Sequence, residues 1–239
     1  MEIKKIFREL KREARILVEQ KTGWVDTRAG ENISKNLIKK YLPKNPIIID
    51  CGANNGSDSI ELARIITNSI VHAFEPIPKT FDELKKATKK YRNIICYQIA
   101  LSNQTGKAEM HVASGVDESG SSSLLAPKSH LEDYPQIEFN EKLEVETITL
   151  DDWASKNNIE HIDLLWLDMQ GFEMPMLKAS KKVLPTVTAI LTEVSLTETY
   201  DGITTYPEYK IYLQDQGFKE IAVGFTEGEP MGNALFVRE

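Results

Sequence analysis

Acidic residues beside glycine turns, at the ends of predicted strands, are the first candidates for chemistry in this sequence. The apolar run 47–49 ends in Asp50, and the turn after it carries glycines in the pattern G-x-x-x-G. Glycine allows a sharp turn and a close ligand approach, but the G-x-G-x-x-G pyrophosphate fingerprint is absent. Asp50 would repel a pyrophosphate and attract the ammonium of an amino-acid-like ligand such as S-adenosylmethionine. We therefore expect this cofactor to contact Asp50, Gly52, Ala53, Asn54, Asn55 and Gly56.

The ends of the next two predicted strands extend this site. Glu75 closes the run 70–74, and a carboxylate there can accept hydrogen bonds from both ribose hydroxyls of a nucleotide. Pro76 follows it directly. The third strand, 94–99, leads into Ala100 and Leu101, whose side chains leave room for an adenine ring. We expect Glu75, Pro76, Ala100 and Leu101 to contact the cofactor.

Three further acids are candidates for catalysis. Asp168 ends a fourth predicted strand before a glycine turn, Glu173 lies one turn into the next helix, and Glu193 ends a fifth strand. Methyl transfer to a hydroxyl requires that the acceptor be aligned and its proton removed, which a carboxylate can do. Asp168 is the first choice and should also face the cofactor. Two alternatives stay open, namely Mg²⁺ held by these acids and an acid–base role for His111.

The other three histidines are not candidates for the site. His72 is predicted to lie in the core, and His130 and His161 on the surface or in loops.

The elements that would position these residues alternate between strands and helices from Pro46 onward. This alternation predicts parallel crossovers and a doubly wound α/β sheet of seven mainly parallel strands, with an antiparallel last strand. The rhythm breaks at 106–113, a strand expected to pair with 143–149. Between them, residues 114–134 are expected to form a mobile lid, because loops this long are uncommon in compact domains. Residues 195–206, with Tyr200 and Tyr206, are expected to form an aromatic acceptor wall.

The first 45 residues differ in charge from the rest of the chain. They carry 12 Lys and Arg against 6 Asp and Glu, a net charge of +6, whereas residues 46–239 carry a net charge of −13. We therefore predict a basic helical extension over 1–45, with helices at 3–18 and near 32–41, and a catalytic domain over 46–239. An acidic domain argues against nucleic acid as the main partner. The extension could touch a membrane surface peripherally, and a homo-oligomer stays open.

Two cysteines, Cys51 and Cys96, lie in apolar runs, which favours reduced thiols in a cytoplasmic protein.

Several motifs, taken together, resemble the FkbM family of methyltransferases. The matching pieces occur in order from about residue 46 to the C-terminus; they are 49–56, 73–76, 121–124, 149–152, 162–165 and 168–173. The resemblance implies a class I S-adenosylmethionine-binding fold and O-methylation of a hydroxyl on a sugar, a glycan precursor or a secondary metabolite. Within the matching segment 121–124, Ser122 is a further expected cofactor contact.

Two positions depart from the family pattern. The family commonly has Lys where this chain has Trp166, and Glu where it has Gln170. A glutamine cannot act as a base, so a different acid must serve if the family uses that one. Two other functions remain open, namely a binding protein that keeps the fold without catalysis and a nicotinamide-dependent oxidoreductase.

Overall fold

The computed structural model describes residues 33–115, 120–226 and 228–239. The helix predicted at 3–18 lies outside the described residues. The helix predicted near 32–41 is present as α1, Lys35–Lys39. No helix in the described part of the chain is both long enough and apolar enough to cross a membrane.

A seven-stranded sheet forms the centre of the fold, as the alternating pattern predicted. Its strands lie in the order β3-β2-β1-β7-β8-β10-β9, and β10 runs antiparallel to both β8 and β9. Their bounds are β1 Ile47–Cys51, β2 Ile70–Phe74, β3 Ile94–Tyr97, β7 Leu164–Leu167, β8 Ala189–Ser195, β9 Phe218–Phe225 and β10 Met231–Arg238. Because β1 has β2 on one side and β7 on the other, the direction of winding reverses at β1.

The helices pack on both faces of this sheet. After α1 they are α2 Ser57–Ile65, α3 Pro78–Thr88, α4 His130–Asp133, α5 Leu150–Lys156, α6 Glu173–Ala179 and α7 Tyr206–Asp215. A short 3₁₀ turn covers Leu184–Thr186. The two faces carry separate apolar clusters, one around Trp153 and Tyr209 and the other around Leu62 and Leu84.

A second, three-stranded sheet interrupts the alternation. Strand β5, Gly106–Gly115, pairs antiparallel with β6, Ile137–Thr149, as predicted. The short strand β4, Ala100–Ser102, was not predicted, and it pairs in parallel with β6. Since β4 follows β3 almost directly, this pairing fixes the second sheet beside the carboxyl end of the main one.

Helix α1 packs against the domain that the main sheet forms. Leu37 and Ile38 belong to the same buried cluster as Ile48 of β1. Lys35 is buried and pairs with Asp58 at 2.7 Å and with Glu61 at 3.1 Å. The part of the predicted extension that the structure describes therefore shares the core of the domain.

Candidate active site

A cavity of about 570 Å³ opens at the carboxyl ends of β1, β2 and β7. This is the place where ligands bind in open α/β sheets, beside the strand at which the winding reverses. Of the predicted cofactor residues, eight line it: Gly52, Asn54, Glu75, Pro76, Ala100, Leu101, Ser122 and Asp168. The other four, Asp50, Ala53, Asn55 and Gly56, do not.

The turns after β1 and β7 touch each other at the base of the cavity. Gly52 has φ +82°, and a Cβ there would lie 1.9 Å from the backbone oxygen of Asp168. Only glycine fits this contact. The Asp168 backbone amide donates to the carbonyl of Cys51 at 3.0 Å, which ties the two turns together.

The Glu75 carboxylate connects the turn after β1 to the turn after β2. Its Oε2 accepts from the Asn54 backbone amide at 3.1 Å, and its Oε1 accepts from the Ile77 amide at 2.8 Å. Burial raises the pKa of Glu75 to about 7, while these two donors oppose the rise. Each carboxylate oxygen can accept a further bond, so the predicted contact with two ribose hydroxyls is compatible with this geometry and stays a prediction.

The wall beside Glu75 is apolar and comes partly from residues that sequence reasoning missed. Ala100 belongs to a small cluster with Met110 of β5, against which Ile77 and Leu143 pack. Met110, Val112, Ala113 and Ser114 of β5 line the cavity. The alternation of Met110 and Val112 along the strand was a signal available in the sequence, but a bulge between Val112 and Ser114 ends it. Other cavity residues missed earlier are Lys79, Thr80, Glu83, Leu124, Glu141, Met169 and Phe172.

Asp168 is the candidate base that the structure places at the cavity. Its Oδ1 accepts from the Gln170 Nε2 at 2.8 Å, and the same nitrogen donates to Glu193 Oε2 at 2.7 Å. Burial raises the pKa of Asp168 to about 6, and hydrogen bonds from Gln170 and Glu193 oppose the rise. A carboxyl group with this pKa is mostly ionised at neutral pH and can accept a proton.

The two reserve candidates do not line this cavity. Glu173 is 3% exposed, and its Oε1 accepts from the Met169 backbone amide at 2.7 Å. That contact lies within the turn that follows β7. Glu193 is half-buried on β8, where its Oε2 lies 2.7 Å from Gln170 Nε2 and its carboxyl group shares a hydrogen bond with Asp168.

The predicted contact of Asp50 with the cofactor is contradicted by its position. Asp50 is 1% exposed, and its Oδ2 accepts a short hydrogen bond from the Ser59 hydroxyl of α2. Because neighbouring residues of a strand point to opposite faces, Asp50 points to α2 while Cys51 reaches the cavity.

Three neighbours of Asp50 do not line the cavity and have local structural roles. Ala53 is buried, and its amide donates to the Phe74 carbonyl at 2.9 Å. Asn55 is exposed, and its Oδ1 accepts from the Ser57 amide at 3.1 Å. A Cβ on Gly56 would lie 2.7 Å from the Leu84 side chain, so this glycine permits close packing of α2 on α3.

The predicted aromatic wall is also wrong. Tyr200 is fully buried, and its hydroxyl lies 2.8 Å from the Ser121 carbonyl and 3.0 Å from Gln170 Oε1. Tyr206 packs on Phe225 and donates to Glu220, away from the cavity. The aromatic sequence pattern reflected packing and not acceptor binding.

The histidines partly follow expectation. His72 lies in the core of β2 as predicted, where burial lowers its pKa to about 4. His161 is exposed, as predicted. His130 was expected at the surface but is buried against Tyr134, Phe139 and Tyr200. His111 pairs with Ser123 by two backbone bonds and does not line the cavity.

The charges of the cavity suit a cationic nucleoside. Among the described residues that line it, four are carboxylic acids and one is a lysine. S-adenosylmethionine carries two positive charges, on its sulfonium and ammonium groups, and one negative charge, on its carboxylate. The Glu75 oxygens match its ribose, and the apolar wall by Ala100 and Leu101 matches its adenine.

Within the described ranges, no group of three or more His, Cys, Asp or Glu side chains is arranged to hold a metal ion.

Known proteins resemble this chain over most of its length. The family model described as "Methyltransferase FkbM domain" matches residues 50–220. The 2-O-methyltransferase NoeI of Sinorhizobium fredii is 29% identical over 174 residues, covering 71% of this chain and 72% of NoeI. Methyltransferase sdnD of Sordaria araneosa is 25% identical over 201 residues, covering 74% and 75% of the two chains.

One solved structure shows the shared fold. The fibrillarin pre-rRNA processing protein of Methanococcus jannaschii superposes with a TM-score of 0.51 at 16% identity, covering 83% of this chain and 69% of that one.

Proposed function

Since the chain belongs to the FkbM methyltransferase family, as its motifs predicted, we propose that it methylates a hydroxyl of a sugar, a glycan precursor or a secondary metabolite. The chain is an S-adenosylmethionine-dependent methyltransferase, and its fold is the class I fold expected from the sequence. The name of its relative NoeI, a 2-O-methyltransferase, supports oxygen as the acceptor atom.

The observation that carries this proposal is the Asp168 carboxylate at the cavity, beside the turn of Gly52. A protonated hydroxyl is a poor nucleophile, and a positioned base typically contributes about 100- to 10,000-fold to the rate. A carboxylate at this place would orient the acceptor hydroxyl and take its proton.

The residues that would hold the cofactor follow from the cavity lining. Glu75 would accept from the ribose hydroxyls, and Ala100 and Leu101 would contact the adenine. Gly52, Asn54, Pro76, Ser122 and Asp168 complete the predicted set that lies at the cavity. When bound, S-adenosylmethionine would supply an activated methyl group on a positively charged sulfur, which departs as a neutral thioether. Asp168 would hold the acceptor hydroxyl and take its proton as the oxygen bonds to the methyl carbon.

The acceptor would enter between the second sheet and the start of α3. This side of the cavity carries Lys79, Glu83 and Glu141 at its exposed rim and Val112 and Leu143 further in. Acidic groups repel a phosphodiester backbone, so we propose a small molecule or glycan as the partner and not a nucleic acid. A cytoplasmic location and a homo-oligomer stay predictions.

The test is methyl transfer to a panel of acceptors. The purified protein is incubated with methyl-labelled S-adenosylmethionine and fractionated oligosaccharides, and the labelled products are treated with mild alkali. We expect label in an alkali-stable methyl ether on carbohydrate or another hydroxylated metabolite. Label found only in alkali-labile esters or in amines would contradict the proposal. Cofactor binding without transfer to any fraction would favour the non-catalytic alternative.

The Asp168→Asn variant is the control in this assay. It separates transfer that depends on the proposed base from label that associates with the protein by other routes.

A further inference from the structure

The side chain of Gln170 connects the proposed base to its surroundings. Its Nε2 lies 2.8 Å from Asp168 Oδ1 and 2.7 Å from Glu193 Oε2. Its Oε1 lies 3.0 Å from the Tyr200 hydroxyl. The residue is buried, so these polar contacts form away from solvent, where an unpaired amide would be costly.

The orientation of the amide follows from its partners. Ionised carboxylates only accept hydrogen bonds, and an amide NH₂ has two hydrogens to donate. With Nε2 toward Asp168 and Glu193, each carboxylate receives one hydrogen. The reversed amide would turn Oε1 toward two carboxylate oxygens and repel both. The observed arrangement therefore uses the neutral amide as a donor to both acids, which also share a hydrogen bond with each other.

The backbone of Gln170 is held in an unusual conformation that aims this side chain. Its φ is +52°, a region uncommon for residues other than glycine. The Ser123 hydroxyl donates to the Gln170 carbonyl at 2.8 Å, and Gly171 continues the turn with φ +96°. Backbone strain of this kind persists where surrounding contacts determine it, often at functional sites.

We propose that Gln170 is a positioning residue whose amide holds the Asp168 carboxylate at the cavity in its ionised form, ready to accept the proton of the acceptor. This inference rests on the proposed function, in which Asp168 is the base. It assigns to Gln170 a role that needs a neutral donor. An ionised acid at position 170 could not perform it, because a carboxylate has no hydrogen to donate.

The charges around Asp168 explain why a donor is needed. Several other ionisable groups act on it or sense its charge: Asp50, Asp58, Glu75, Glu173, Glu193 and Tyr200. Burial and the Asp58 charge raise the pKa of Asp168, whereas the hydrogen bonds of Gln170 and Glu193 lower it. Removal of the amide donor would leave the raising effects less opposed, and Asp168 would hold its proton to a higher pH.

The test measures the titration of Asp168 directly, without an acceptor. The protein is labelled with ¹³C at its aspartate carboxyl carbons, and the signal missing from Asp168→Asn assigns Asp168. We expect Gln170→Glu and Gln170→Met each to raise its NMR titration midpoint by about one pH unit or more, since each loses a donor beside a buried carboxylate. Gln170→Met adds no charge, so it keeps the test valid if the buried glutamate prevents folding.

Ser123→Ala is the matched control. It removes the bond from the Ser123 hydroxyl to the backbone carbonyl of Gln170 and leaves the side-chain amide in place. We expect a smaller shift of the Asp168 midpoint in this variant than in either Gln170 variant, because the amide keeps its own bonds to Asp168 and Glu193. Wild-type midpoints in both Gln170 variants, or an equal shift in Ser123→Ala, would overturn the inference.

The failure of the proposed function has a separate signature. Wild-type turnover by Asp168→Asn would remove Asp168 as the base, whatever the titration of the Gln170 variants shows. Loss of turnover in Asp168→Asn together with unshifted Gln170 variants would remove only the role of Gln170.

Discussion

At the scale of single residues, Glu75 has the clearest expected effect on cofactor binding. Its two oxygens already accept from the Asn54 and Ile77 amides, so its position is set before any ligand arrives. Glu75→Ala removes the acceptor for two ribose hydroxyls. We expect it to weaken S-adenosylmethionine binding by about 1.5–3 kcal/mol, or roughly 10- to 150-fold, by calorimetry.

Glu83→Ala is the matched control for Glu75. Glu83 lines the same cavity but lies exposed on α3, so we expect a much smaller loss of affinity. Unchanged affinity in Glu75→Ala would contradict the ribose assignment.

Asp168 is expected to act on turnover rather than on cofactor affinity. Asp168→Asn keeps the size of the side chain but cannot take a proton, so kcat should fall by about 100- to 10,000-fold. The Kd for S-adenosylmethionine should change little. Both are measured with the acceptor found in the transfer assay. If Asp168→Asn turns over normally while Glu173→Gln or Glu193→Gln is inactive, the role of base moves to that residue.

At the scale of elements, the contact between the β1 and β7 turns determines the shape of the cavity. Gly52→Ala combines a left-handed backbone, which costs about 1–2 kcal/mol for other residues, with a methyl group 1.9 Å from the Asp168 oxygen. Gly202→Ala has a similar φ of +73° with nothing within 4 Å. We expect Gly202→Ala to lose only about 1 kcal/mol in the free energy of unfolding, and Gly52→Ala to lose clearly more.

Urea unfolding measures both glycine variants. Equal losses would mean that the backbone conformation alone limits Gly52, and the close approach of the two turns would then carry no cost.

Helix α1 is expected to contribute to stability through Lys35. Its Nζ pairs with Asp58 and Glu61 and lies 4.4 Å from the centre of the Trp166 ring. Lys35→Met keeps the apolar stem but leaves two acids without this partner. We expect a loss of about 2 kcal/mol in the free energy of unfolding, below the 3–5 kcal/mol typical of fully buried pairs, because Asp58 is 38% exposed.

Lys107→Met is the matched surface control for Lys35. Lys107 pairs with Glu144 where both side chains are more than half exposed, and such pairs contribute less than about 1 kcal/mol. A loss in Lys35→Met no greater than in Lys107→Met would mean that the docking of α1 does not depend on this lysine.

The elements differ in how well the sequence predicted them. Strand β2 at Ile70–Phe74 was predicted at its observed bounds, because a run of apolar residues is a local signal. Strand β4 was missed because its three residues have no pattern of their own and pair with β6, more than 40 residues away. Pairing over such distances leaves no local trace.

At the scale of the whole molecule, the same limit applies to the candidate site. The sequence placed Glu75 and Asp168 at the ends of their strands, and the sheet brings both to one cavity. It could not show to which face of the sheet Asp50 would point. Strand β1 is covered on both faces, and apolar side chains point to each of them. Nor could it show that Tyr200 is enclosed by residues far away in the chain.

The burial of several acids gives the whole molecule a predictable dependence on pH. Burial raises the pKa of Asp50, Glu75 and Glu173 to about 7, from ordinary values of 3.8 for Asp and 4.5 for Glu. Between those values and pH 7 the folded protein therefore binds more protons than the unfolded chain. Stability falls with pH wherever this holds, so these groups stabilise the fold fully below about pH 4 and lose that contribution as pH rises through 7.

We therefore expect the melting temperature to be higher at pH 6 than at pH 8, by a few degrees. This trend runs against the usual behaviour of carboxylates held in ion pairs, which lose stability in acid.

Asp50→Asn should flatten the slope of melting temperature against pH between pH 5 and 8, because it removes one of the groups whose pKa is raised. Asp82→Asn, at an exposed acid on α3, is the control and should keep the wild-type slope. Melting curves by circular dichroism in buffers of constant ionic strength measure both variants. A wild-type melting temperature that rises from pH 6 to 8 would mean that these acids are paired or hydrated more strongly than their burial indicates.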